Sequence, residues 1–266
     1  MSDLGRSLRD LPRQATHLRS QVQSLAGAPV GARLLAAVVG LGGCQEVGSG
    51  AVMTSSMYAD LSVLATGDGM SQARATLRIG SMTSTTLVEL QPGDTLTASS
   101  GALMKKLERT ADPQDGFSYT GMFTGSSPGT PFSIAFTRQN EVSAPNSQTV
   151  LPPQVTHVMP TSGTSVSRAQ SFVISWDAGA SSNADLIDVA LTGPCVTGVA
   201  RLGLPDSGQV MVPAAQLKNL PDMPGTSCSV QIAVARKRKG SVDPAFGAGG
   251  VFYGIQQSTV TINSIP

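Results

Sequence analysis

The residues that could carry chemistry in this chain are few and far apart. Gly125-Ser126-Ser127-Pro128-Gly129 matches the pattern G-x-S-x-G, which would make Ser127 a hydrolytic nucleophile. That chemistry needs a strand before the serine and a helix after it, so that the hydroxyl stands exposed on a tight turn. Here Thr130 to Phe136 follows, and its alternation is that of a strand. The histidine nearest in sequence, His157, comes later beside prolines. The stretch is read as a turn, and no catalytic residue is assigned. Asp112 and Asp115 offer two carboxylates in one loop, a pattern a calcium ion could use with backbone oxygens. Asp-Pro and Asp-Gly are equally what turns are made of, so no metal site is assigned. One histidine after residue 44 and no Cys-x-x-Cys leave no standard zinc site. Gly247-Ala248-Gly249-Gly250 lacks the spacing and the strand-to-helix setting of a phosphate loop. No cofactor is expected.

The one concentrated feature is Arg236-Lys237-Arg238-Lys239, directly after the apolar alternation that ends at Val234. As a functional site it would hold an anionic polysaccharide, lipid headgroups or the acidic face of a protein partner. The plainer reading, which we favour, is a solvated strand end or the charged protection of a sheet edge. Nucleic acid is not expected. The net charge is only +1, and no aromatic residues interleave the basic run.

A second segment could be modified covalently. Arg33 is followed by ten uncharged small or apolar residues, Leu34 to Gly43, and then by Cys44. Ten residues cannot cross a hydrocarbon core, which takes roughly 20, but they have the length of the apolar region of a signal peptide. Leu41-Gly42-Gly43-Cys44 resembles the lipobox of bacterial lipoproteins. The resemblance implies that the Cys44 thiol receives a diacylglyceryl group, that the peptide bond before it is cut, and that the new amine is acylated. Several acyl chains would anchor the protein stably, where a single chain is marginal. Gln45, rather than Asp, after the cysteine implies by family analogy the outer membrane. The pattern departs from the family in its long leader: residues 1–33 are polar and carry five Arg against two Asp, leaving the remainder at about −2. The other reading is a chain without an anchor, in which Leu34 to Gly43 starts an ordinary core helix.

Three cysteines in an exported chain leave one to explain. If Cys44 is lipidated, Cys195 and Cys228 remain to form a disulfide in an oxidising compartment. The alternative is a pair of buried thiols in a cytosolic core.

Positioning all of this falls to short strands. Aromatic residues make up 4% of the chain and charged residues 13%, against 40% hydrophobic. That is not the composition of long helices. Ala73, Ala75, Leu77 and Ile79 alternate with Arg74, Thr76 and Arg78, and Asp68-Gly69 supplies a hairpin signal before them. Similar runs at regular spacing predict an antiparallel sandwich over 57–142. Residues 44–56 read as the lipidated cysteine and a flexible tether. Residues 143–153, rich in proline, read as a linker. A second sandwich is expected over 154–266, with Phe172, Ile174 and Trp176 on one face and Cys228, Val230, Ile232 and Val234 on another. The order Trp176, Cys195, Cys228 resembles immunoglobulin-like domains, although there the tryptophan falls between the cysteines. The likeness therefore names an architecture and carries no functional residue.

The expectation is thus an all-β chain. Two tandem antiparallel Ig-like sandwiches follow a helical leader and signal segment (1–43), as an outer-membrane lipoprotein of the cell envelope. Its role would be non-enzymatic: display, envelope structure, or protein or glycan binding. A soluble or secreted binding module without an anchor is the alternative, and an extracellular hydrolase is a more distant one.

Overall fold

A computed structural model describes residues 45–113, 115–178, 185–196, 199–218 and 225–266. The expected leader (1–43) and the lipobox cysteine Cys44 lie outside the described residues. Residues 43–266 group as one compact unit. Its described part is all-β, with seventeen strands and three short 3-10 turns among the described residues. No helix there is long and apolar enough to cross a membrane.

The chain opens with β1 (Gln45–Gly48), β2 (Met57–Ala65), β3 (Met70–Ile79), β4 (Thr86–Glu89), β5 (Thr95–Ser100) and β6 (Leu103–Lys106). It continues with β7 (Glu108–Asp112), β8 (Gly116–Thr124), β9 (Pro131–Thr137) and β10 (Ala144–Val150). Strict alternation decides which face is buried. In β2 the residues Met57, Ala59, Leu61, Val63 and Ala65 are all fully buried, while those between are half-exposed. β2 and β3 form a hairpin from Met57↔Ile79 to Ala65↔Ser71, closed by the expected Asp68 turn, whose carboxylate accepts from the Met70 amide at 3.0 Å. Across this surface packs a four-stranded sheet in the order β10-β9-β5-β6. Between the two layers sit Leu96, Phe123, Ile134 and Phe136. The rings of Phe123 and Phe132 meet edge to face at 5.5 Å.

The later strands are β11 (Ser165–Ser167), β12 (Phe172–Ser175), β13 (Asp185–Thr192), β14 (Val199–Pro205), β15 (Gln209–Val212), β16 (Cys228–Lys239) and β17 (Gly250–Ile265). β12 and β15 pair as a small separate sheet over a second buried cluster, which includes Ile174, Trp176, Ile187, Val189, Ile232 and Ile262. The two clusters are joined by β17. Its first half runs parallel to β2, from Gly250↔Ala59 to Gln256↔Ala65, while β16 pairs with it from Cys228↔Ser264 to Lys239↔Tyr253. One sheet of eleven strands thereby extends from β1 to β14. Gly250 is where the join is tightest: a Cβ there would fall 2.4 Å from the Ala59 carbonyl oxygen, so only glycine lets the strands approach. The Gly247–Gly250 run thus serves backbone packing.

Three expected boundaries are corrected. Residues 44–56 are not a flexible tether from Gln45 onward, because β1 lies in register with β4 and the turns at Ser49–Ala51 and Thr54–Ser56 bury Ser49 and Thr54. The cause is a buried guanidinium. Arg138 donates to the carbonyls of Ser49 and Val52 and to the Thr54 hydroxyl, and pairs with Asp94 at 3.2 Å. Residues 143–153 are not a bare linker either, since β10 pairs with β9. Its Pro145 falls inside a register shift between Ala144 and Ser147, where a missing N–H costs no ladder bond. Finally, residues 57–142 do not complete their own core. Phe246 and Phe252, assigned by sequence to the second sandwich, are buried in the first cluster, with Phe246 stacked on Phe136 at 6.0 Å.

Candidate functional site

The basic run does not form a free cationic patch, because β16 continues straight through it. Strand alternation carries Arg236 to the same side as Val230, Ile232 and Val234, and its side chain is completely buried. A buried guanidinium must satisfy its donors, and this one does. Nε pairs with Asp206 at 2.8 Å, Nη1 donates to the carbonyls of Pro153 and Gln154, and Nη2 to those of Asp177 and Ala178. Asp206 is held from the other side by the Trp176 indole N–H at 2.7 Å. Lys237 pairs with Asp188 at 2.6 Å and lies over the Tyr253 ring at 5.1 Å. Arg238 makes a two-pronged pair with the buried carboxylate of Asp185, at 2.8 and 2.7 Å, which raises the basicity of its guanidinium. The anion-binding expectation for Arg236, Lys237 and Arg238 is therefore corrected: their charges are spent on Asp206, Asp188 and Asp185. Lys239 is exposed and takes part in no ion pair among the described residues.

Lys239 borders a groove of about 470 Å³. The groove crosses the four-stranded sheet, over Ser99 of β5, Pro131 and Ser133 of β9, and Gln148 and Val150 of β10, and it ends against Arg238–Ser241. It exists because the chain just after β16 meets β10 at one isolated antiparallel bridge, Gln148↔Ser241. Gln148 and Ser241 exchange backbone hydrogen bonds at 2.9 and 2.8 Å, and a Cβ at Gly240 would fall 2.0 Å from the Gln148 carbonyl oxygen. Ser99 and Ser133 share one hydrogen bond across the strands at 2.7 Å, so one hydroxyl proton of the pair is left to donate outward. No local sequence signal announces this site, since its residues come from four separated segments. The glycine directly after the basic run is the one hint of a close approach.

The other candidates are placed as follows. Asp112 and Asp115 do converge, but onto arginines: Arg74 reaches them at 2.7 and 2.8 Å, and Arg78 reaches Asp115 at 2.7 Å. Burial pushes the Asp115 carboxyl up, but hydrogen bonds from Arg78 and Arg74 outweigh it and hold it below the ordinary carboxylate range. Asp60, beneath the same arginines, goes the other way, because there burial dominates. Ser127 lies in the turn between β8 and β9, flanked by strands on both sides, and its carbonyl accepts from the Thr130 hydroxyl at 2.7 Å. His157 is hydrogen-bonded through Nδ1 to Asp177, and with Thr156 it holds that carboxyl below its ordinary range. Cys195 and Cys228 form a disulfide, with Cα atoms 6.4 Å apart and a sequence separation of 33.

No protein-family model matches the chain, and no curated protein matches it. Among solved structures it is similar to the first three fibronectin domains of chicken CNTN1, at 13% identity and a TM-score of 0.22, over 78% of this chain and 66% of that one. Among the described residues, an all-β architecture with open, layered sheets and the Cys195–Cys228 disulfide is what the fold itself establishes.

Proposed function

We infer that this protein is an exported bacterial lipoprotein, anchored by acyl chains on Cys44, whose two sandwich units form a non-enzymatic binding or display module at the outer membrane. The observation that carries the reading is the Cys195–Cys228 disulfide. Stable disulfides belong to oxidising compartments, and with these two joined, Cys44 is the one cysteine of the three outside the bridge. The lipobox resemblance gives that cysteine a use. Because β1 begins at Gln45, the residue next to it, acylation would seat the body against the bilayer rather than on a spacer. Binding of a protein or an anionic glycan suits the open sheet surface and the groove at Lys239.

The experiment is metabolic labelling with an alkyne fatty acid in an export-competent bacterium. The chain is expected to take up label, and Cys44→Ser to abolish it. An unlabelled wild-type chain in the envelope fraction would remove the anchor and leave a secreted module.

A further inference from the structure

We propose that the groove between β9, β10 and Arg238–Ser241 binds an acidic oligosaccharide, with the carboxylate of one sugar at Lys239 and its hydroxyl groups along Ser99, Ser133, Gln148 and Ser241. The proposal rests on the binding-module reading above and is independent of the anchor.

Its first support is size. About 470 Å³ lies within the ~300–1,000 Å³ of ordinary ligand clefts, and the groove is open along the sheet, as an extended chain requires. Its second support is chemistry. The lining alternates short hydroxyls and an amide with the apolar surfaces of Pro131 and Val150. Hydroxyls and amides both donate and accept, which matches the mixed donors and acceptors of a sugar, while the apolar surfaces can face its C–H groups. Charge is the third support. Two cations border the groove, and they are not equivalent. Arg238 is neutralised by the buried Asp185 on two of its nitrogens, whereas Lys239 has no carboxylate partner among the described residues. A compact ammonium on a flexible stem is a point charge, suited to one carboxylate without demanding a two-pronged geometry. Among the described residues, one cation without an ion-pair partner beside four hydroxyl or amide side chains specifies a ligand with few acidic groups and many hydroxyls. A densely charged polymer would find only one partner here.

Isothermal titration of the full-length chain with a xylooligosaccharide carrying a single glucuronic acid, and with the unsubstituted xylooligosaccharide of equal length as the neutral probe, tests this. The acidic oligosaccharide is expected to bind, more weakly as salt is raised, and the neutral one to bind at least about tenfold more weakly. Lys239→Glu should lower affinity about tenfold or more, and Ser133→Trp should fill the groove and abolish binding. Lys218→Glu, away from the groove, should leave affinity unchanged. A thermal melt confirms that each variant is folded, and because Lys239 is exposed its substitution cannot fail for want of a core. Equal affinity for both probes overturns the charge assignment. Binding that survives both Lys239→Glu and Ser133→Trp overturns the groove but leaves a binding module. Absence of binding to either probe overturns the proposal, while fatty-acid labelling at Cys44 still decides the lipoprotein reading separately.

Discussion

The part of the body built on β2, β3 and β9 and the part built on β12, β13 and β15 fill their interiors differently. Six of the seven phenylalanines, Phe117, Phe123, Phe132, Phe136, Phe246 and Phe252, are buried in the first cluster. In the second the buried aromatic residue is Trp176, and Val, Ile and Leu supply the rest together with the Cys195–Cys228 bridge. Large rings remove much apolar area from water per residue. A cluster of smaller side chains under a two-stranded sheet has less to gain from burial, and a covalent link to β16 compensates by restricting the unfolded chain. Each part also fixes an irregular segment with one buried arginine. Arg138 holds Ser49 and Val52, and Arg236 holds Pro153, Gln154, Asp177 and Ala178. These carbonyls lie outside the strand ladders, and a guanidinium with five donors is the side chain best able to satisfy several at once.

The largest test of this comparison is Arg236→Ala. It would strand the Asp206 carboxylate and four carbonyls in the interior, and a loss of about 3–5 kcal/mol is expected, measured by urea unfolding. Native-state hydrogen exchange should place the loosening in β12 and β15. If the strands β2 and β3 exchange just as much faster, the shared strands β16 and β17 bind the two parts into one cooperative unit, and the contrast drawn above concerns composition only.

A somewhat smaller effect is expected from Cys228→Ser, about 2–4 kcal/mol for a loop of this length. It should also abolish the mobility difference between reduced and non-reduced chain on a gel. Exchange should quicken around β12, β15 and β16 while the phenylalanine cluster is spared. An unchanged gel mobility on reduction of the wild type would count against the bridge.

The smallest effect is electrostatic and confined to the first part. The folded-state pKa of Asp115 is depressed by Arg78 and Arg74, so its contribution is complete above the ordinary carboxylate range and is lost as pH falls through the depressed value. Asp60 has a raised value, so its contribution has the opposite sign and fades as pH rises through that value. Asp115→Asn should flatten the fall of Tm on acidification, whereas Asp60→Asn should raise Tm near neutral pH. A Tm profile identical to wild type in both variants would mean that the Arg74–Asp115–Arg78 cluster is fully screened by solvent.

Much of the strand pattern is legible in the chain because half-buried strands write their burial as alternation. β2, β3, β16 and the hairpin at Asp68 can be read this way. The same rule held the clue to Arg236, which continues the inward parity of Val230, Ile232 and Val234. Reading the four basic residues as a block, rather than as alternate positions of one strand, concealed it. Pro145 misled for a related reason: proline argues against a strand only where its N–H would be needed, and a bulge removes that need. The groove was not legible at all. Ser99, Ser133, Gln148 and Lys239 are ordinary surface residues until β10 and the end of β16 come together.

What the sequence determined by itself was local. Alternation set the buried faces, turn residues set the hairpins, and the apolar run before Cys44 set the lipobox resemblance, because each depends on neighbours within a few positions. What only the tertiary structure decided was which distant segments share a sheet and a core. β17 completes a core begun some 190 residues earlier at β2, and Asp185, Asp188 and Asp206 neutralise three of the four basic residues at the end of β16. Pairing of this kind is fixed by backbone hydrogen bonds and burial across the whole fold, and neither leaves a mark in the spacing of residues along the chain.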